Sequence, residues 1–91
     1  MNRFRIDDSF RITSVGFVFV GDVVQGSAKA GMLFEVPEAG HRWQLVVKSV
    51  QFVRLDGGKE KIGLVVQDAD YLPGLGVGWI AELRQQPENE S

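Results

Sequence analysis

Residues 43–54, WQLVVKSVQFVR, decide the fold. Trp43, Leu45 and Val47 hold one phase of a period-two pattern, and Val50 and Phe52 hold the opposite phase. One strand can turn both sets toward one core only if an extra residue stands between them. The run therefore predicts a long strand with a β-bulge at Lys48-Ser49. Downstream, Ile62, Leu64 and Val66 alternate cleanly with Lys61, Gly63, Val65 and Gln67, a second strand joined to the first through Gly57-Gly58.

Working outward, the other strands follow from the same period. Residues 8–13 alternate, with Phe10 and Ile12 on one face and Ser9, Arg11 and Thr13 on the other. Residues 16–24 are apolar on both faces around Gly21, as expected of a strand buried on both sides or bent at that glycine. A short strand at 33–36 stops at Pro37, and a last one at 77–83 follows the stretch PGLGVG. No segment of helical length carries apolar residues at three-and-four spacing. Eleven glycines and many valines complete an all-β reading. The expected fold is a small six-stranded closed or nearly closed β-barrel, since closure removes the adhesive edges of an open sheet.

Ninety-one residues with 44% hydrophobic and 24% charged side chains fit one small globular domain. The last seven residues, QQPENES, hold Glu88 and Glu90 and no base. Removing these two acids from twelve leaves ten acids against ten bases, so residues 1–84 form a formally neutral barrel domain. Residues 85–91 are expected to be a disordered polar tail. A neutral body gives no long-range steering toward a polyanion, although a local basic patch remains open. The chain has no cysteine and one histidine, which excludes disulfides, a thiol nucleophile and a histidine-rich metal site. The start, MNRFRIDDSF, is charged where a signal peptide needs an apolar run, and apolar stretches are far too short to cross a bilayer as a helix. The expected location is the cytoplasm.

Chemistry-bearing constellations are sparse. Asp7-Asp8 and Asp68 with Asp70 stand beside turns at strand ends, where aspartate commonly caps backbone amides. His41 has no nucleophile or carboxylate at suggestive spacing. Gly57-Gly58-Lys59-Glu60 lacks the hydroxyl and the spacing of a phosphate-binding P-loop, and Gly74, Gly76 and Gly78 precede a strand rather than a helix. No catalytic residue, metal site, nucleotide site or cofactor is expected, and the chain is not expected to be an enzyme.

Two surfaces remain as candidates. Arg42, Trp43, Lys48, Gln51, Arg54, Lys59 and Lys61 flank one hairpin, and basic residues beside an aromatic suit an RNA or partner patch. The plainer alternative is a solvated hairpin with Trp43 in the core. Tyr71, Leu72 and Leu75 lie in a glycine-rich loop that would serve as an apolar contact with a partner or a second copy, the alternative there being a structural turn.

The register of residues 7–36, DDSFRITSVGFVFVGDVVQGSAKAGMLFEV, resembles the opening of the second domain of translational GTPases, the elongation-factor-Tu-like translation-protein β-barrel. Asp8, Phe10, Ile12, Gly16, Val18, Gly21, Val23, Gly26, Lys29 and Gly31 fall on that pattern without a gap. Ser14 replaces one of its glycines and Val36 its final isoleucine. The run VKSVQFVRLDGGKEKIGLVVQDAD is similar to the family's strand, loop, strand sequence, so the likeness spans roughly residues 4–83. It implies a free-standing barrel without a GTPase domain, Lys29 in a solvated turn, and a partner among RNA or protein of the translation machinery. Gln51 stands where the aminoacyl-tRNA-carrying members have an acid, and Lys61 replaces a further family residue. The expected function is thus a non-catalytic module that binds RNA or a protein. The alternative is a self-associating protein–protein interaction or structural module, a homo-oligomer unrelated to translation.

Overall fold

The computed structural model describes residues 1–38, 41–54, 57–66 and 74–85. Its elements are six strands: β1 (Asn2–Ile12), β2 (Gly16–Gln25), β3 (Leu33–Glu38), β4 (His41–Arg54), β5 (Glu60–Val66) and β6 (Ile80–Arg84). They close into a ring in the order β1-β2-β5-β4-β3-β6, with β6 returning to β1. Every neighbouring pair is antiparallel. Strands β3, β4 and β5 form a meander, and β6 crosses back to lie beside β3, a Greek-key path.

The ring buries one side of each strand. Phe4 and Ile6 of β1, Phe17 and Phe19 of β2, Phe34 and Val36 of β3, Leu45 and Val47 of β4, Leu64 and Val66 of β5, and Ala81 and Leu83 of β6 make one core. Phe19 sits at its centre, edge-on to Phe17 at 5.1 Å and to Phe34 at 5.0 Å between ring centroids. These tilted contacts match the quadrupoles of the rings.

Irregularities in the ladders set the side-chain phase. The expected bulge of β4 is present, since Val47 pairs with Val66 and Ser49 with Val65, leaving Lys48 as the extra residue. Val50 thereby returns to the core side. A second bulge, at Asp7 between the pairs Ile6–Gly21 and Asp8–Val20, reverses the phase of β1. Phe10 therefore lies outside the main core. It packs instead on an outer cluster of Val18, Val20 and Val65, while Ser9 is buried within. Residues 16–21 of β2 are consequently buried on both faces.

Several boundaries differ from the sequence expectation. β1 begins at Asn2 rather than residue 8, because Asn2 to Arg5 pair with β6. β3 continues through Pro37, which pairs with Arg42 beyond the last β3–β6 partners, where a missing donor can face outward. β6 begins at Ile80, because residues 74–78 form turns that bond to β1.

Candidate binding surface

The end of the β4–β5 hairpin overhangs β3, while β5 stays paired with β2 up to Ile62. On its β3 side, β4 has its last partners at Leu33–Val46 and in the bonds Gly31 N–H to Val47 O (2.7 Å) and Val47 N–H to Met32 O (3.0 Å). Residues 49–54 then pair only with β5 among the described residues. The hairpin closes through Gly57 and Gly58, whose φ values of 88° and 80° a side chain rarely tolerates.

Phe52 marks this overhang. It shares the phase of Val50, which packs on the core, and it pairs with Ile62, yet 78% of the residue is exposed because β3 no longer flanks β4 there. Periodicity alone assigned it to the core. Lys48 at the bulge, Gln51 on the outer face and Lys59 in the turn are exposed. Neither the Lys48 nor the Lys59 ammonium makes an ion pair with a described residue. Arg54 reaches Glu60 at 3.5 Å with both side chains well exposed, a pairing that holds little energy in water.

Lys61 differs from the other cations of the proposed patch. Its Nζ lies 2.7 Å from Asp22 Oδ2 and 3.0 Å from Asp7 Oδ2, and Arg5 binds the same two carboxylates. Hydrogen bonds to Asp22 and then Asp7 hold the Lys61 ammonium above its usual range. The Arg5 guanidinium is likewise raised, chiefly by its bond to Asp7. Burial works to raise the Asp7 carboxyl, but the bonds from Lys61 and Arg5, with their charges, outweigh it and keep the group below its ordinary value. Lys61 is thus neutralised across β1, β2 and β5, and Asp7 is an ion-pair member rather than half of an acid–base dyad.

Trp43 does not join the hairpin either. It is half-buried against the core, eleven residues before Arg54 on one strand, about 37 Å away at roughly 3.4 Å per residue. The Arg42 side chain lies outside the described residues, as do His41's side chain, Asp68, Asp70, Tyr71 and Leu72.

Leu75, expected at an apolar contact surface, belongs to the core at 9% exposure. The Ser9 hydroxyl donates to Leu75 O at 2.8 Å, the Gly74 N–H to Ser9 O at 2.8 Å, and the Gly78 N–H to Ile6 O at 2.8 Å. A β-carbon on Gly76 would stand 2.6 Å from Val36 Cγ1 and 2.9 Å from Ile6 Cδ1. This loop clasps the bulged part of β1 and plugs the ring. Among the described residues of the segment, Val77, Trp79 and Ile80 leave large apolar surface exposed.

Sequence reasoning assigned Lys29 only a solvated turn, yet that turn is bonded to the start of the overhang through Gly31 and Met32. Among the described residues no three histidine, aspartate or glutamate side chains gather to hold a metal, and no helix is long and apolar enough to cross a membrane. Comparison with family models, with curated proteins and with solved structures yields no match.

Proposed function

We propose that this chain is a non-catalytic binding module of the translation-factor barrel type, acting in the cytoplasm, and that the β4–β5 hairpin takes single-stranded RNA. The observation that carries the reading is Phe52, an aromatic residue 78% exposed on a hairpin that also presents Lys48, Gln51, Arg54 and Lys59. An exposed ring on a strand that also carries cations offers a base a stacking face and its phosphates a counter-charge. The remainder of the barrel supplies rigidity, which lowers the ordering cost of binding.

The test is fluorescence anisotropy with a labelled single-stranded oligoribonucleotide. Affinity should fall as salt rises, and Phe52→Ala should weaken it about 10- to 100-fold, the range of one lost stacking contact. Binding that ignores both salt and Phe52 would refute the reading.

A second reading has its own support in the open edge of residues 49–54. A row of main-chain groups without strand partners among the described residues is a template for an added strand from another protein or a second copy. Under that reading the mass of the protein rises with concentration, and RNA has no effect on it.

A further inference from the structure

We infer that the loop 26–32, together with Asn2 and Gln85, forms a phosphate-binding cleft for a ligand of nucleotide size. The cleft measures about 410 Å³ and is lined by Asn2, Ser27, Lys29, Ala30, Gly31, Met32 and Gln85. That volume falls within the range of small-molecule sites and exceeds what a bare phosphate needs.

The lining chemistry selects an anion. Among the described residues it contains an ammonium, a hydroxyl and two carboxamides but no carboxylate. The Lys29 ammonium makes no ion pair with a described residue, so its charge remains available. The Ala30 amide makes no hydrogen bond with a described residue, whereas the Gly31 and Met32 amides are already committed, to Val47 O and Lys29 O. Asn2 is engaged at both ends, its Oδ1 accepting the Ser27 N–H and its Nδ2 donating to Leu83 O at 3.4 Å. The donors left for a ligand are therefore the Lys29 ammonium, the Ser27 hydroxyl, the Ala30 N–H and the Gln85 carboxamide, from separate segments. A tetrahedral phosphate, with acceptor oxygens on all sides, uses such a set more fully than a planar carboxylate does.

The loop is held in shape before any ligand arrives. Asn2 Oδ1 accepts the Ser27 N–H at 2.9 Å, and Gly26 turns the chain there at φ 72°, a conformation that side chains rarely adopt. Gly31, at φ 91°, hands the chain to Val47 through its 2.7 Å bond. Val47 precedes the Lys48 bulge, so the cleft opens beside the root of the proposed RNA hairpin. The inference extends that reading by giving a phosphate of the ligand a place to sit, but its geometry stands without Phe52.

The test titrates isotope-labelled protein with inorganic phosphate, which carries no base to stack, so the result is independent of the hairpin. Saturable shifts of the Ser27, Ala30 and Gly31 amides are expected at millimolar phosphate. Lys29→Gln should weaken them about tenfold, the effect of one charge-assisted bond, with an unchanged melting temperature. Lys59→Gln should leave them as they are. A nucleoside monophosphate that competes at the same amides supports a nucleotide source, and competition by inorganic phosphate alone supports the free ion. Absence of saturable shifts, or equal shifts in the Lys29→Gln protein, would overturn the inference.

Discussion

Gly21 faces the Arg5 carbonyl so closely that a β-carbon on residue 21 would lie 1.8 Å from that oxygen. The contact is to backbone, which cannot swing aside. It sits where β1 bulges at Asp7 and where Arg5, Asp7, Asp22 and Lys61 meet on the outer face. Gly21→Ala should therefore destabilise the fold by about 3 kcal/mol, the upper part of the usual overpacking range. Gly63→Ala should cost less, because its nearest neighbours are methyl groups of Val53 (3.1 Å) and Val18 (3.4 Å) rather than main chain. Chemical denaturation of both variants checks the order.

The ion-pair cluster gives stability a defined pH dependence. Asp7 has its folded value lowered, so its contribution is complete above the unfolded value near 3.8 and is lost as pH falls through the folded one. Lys61 has its folded value raised, so its contribution is complete below 10.5 and is lost as pH rises through the folded value. Asp7→Asn should flatten the acid limb of a melting-temperature profile and leave the alkaline limb largely in place. Lys61→Gln should leave Asp7 and Asp22 opposed by Arg5 alone and lower stability most at neutral pH. An acid limb in Asp7→Asn as steep as in the parent protein would contradict this.

Leu75 and Ser9 are expected to act through the fold. Leu75→Asp places a charge in the core and should unfold the barrel rather than alter its association. Ser9→Ala removes the bond to Leu75 O and should cost about 1 kcal/mol. Thermal melts measure both. A stable Leu75→Asp protein that differs only in molecular mass would restore the loop as a contact surface.

On the hairpin, Lys48→Ala and Lys59→Ala should each reduce the salt slope of RNA binding by about 1 while leaving the melting temperature near its parent value. Lys61→Gln should behave otherwise, because its charge is already held by two aspartates. Binding isotherms at several salt concentrations, paired with melts, separate the two behaviours.

Much of the architecture is written locally. The phase change between Val47 and Val50 announced the Lys48 bulge, because burial on one face forces register. The doubly apolar residues of β2 announced a strand covered on both sides. The phase of β1 was hidden, since its bulge at Asp7 depends on Gly21 of a neighbouring strand and leaves no mark in the alternation of Phe10 and Ile12. The same holds for the candidate site. Lys61 looked like a free cation because Asp22 lies 39 residues away in sequence. Phe52 looked like core because no local pattern tells where β3 ends beside β4. Lys29 gave no sign of a cleft, which is assembled from Asn2, its own loop and Gln85 at distant points of the chain.

The most direct measurement is an amide-shift map of the full chain titrated with a single-stranded oligoribonucleotide. The account predicts saturable changes at Lys48, Gln51, Phe52, Arg54 and Lys59, with Trp79 and Ile80 unmoved. Changes centred on Trp79 and Ile80, or none at the hairpin, would contradict it.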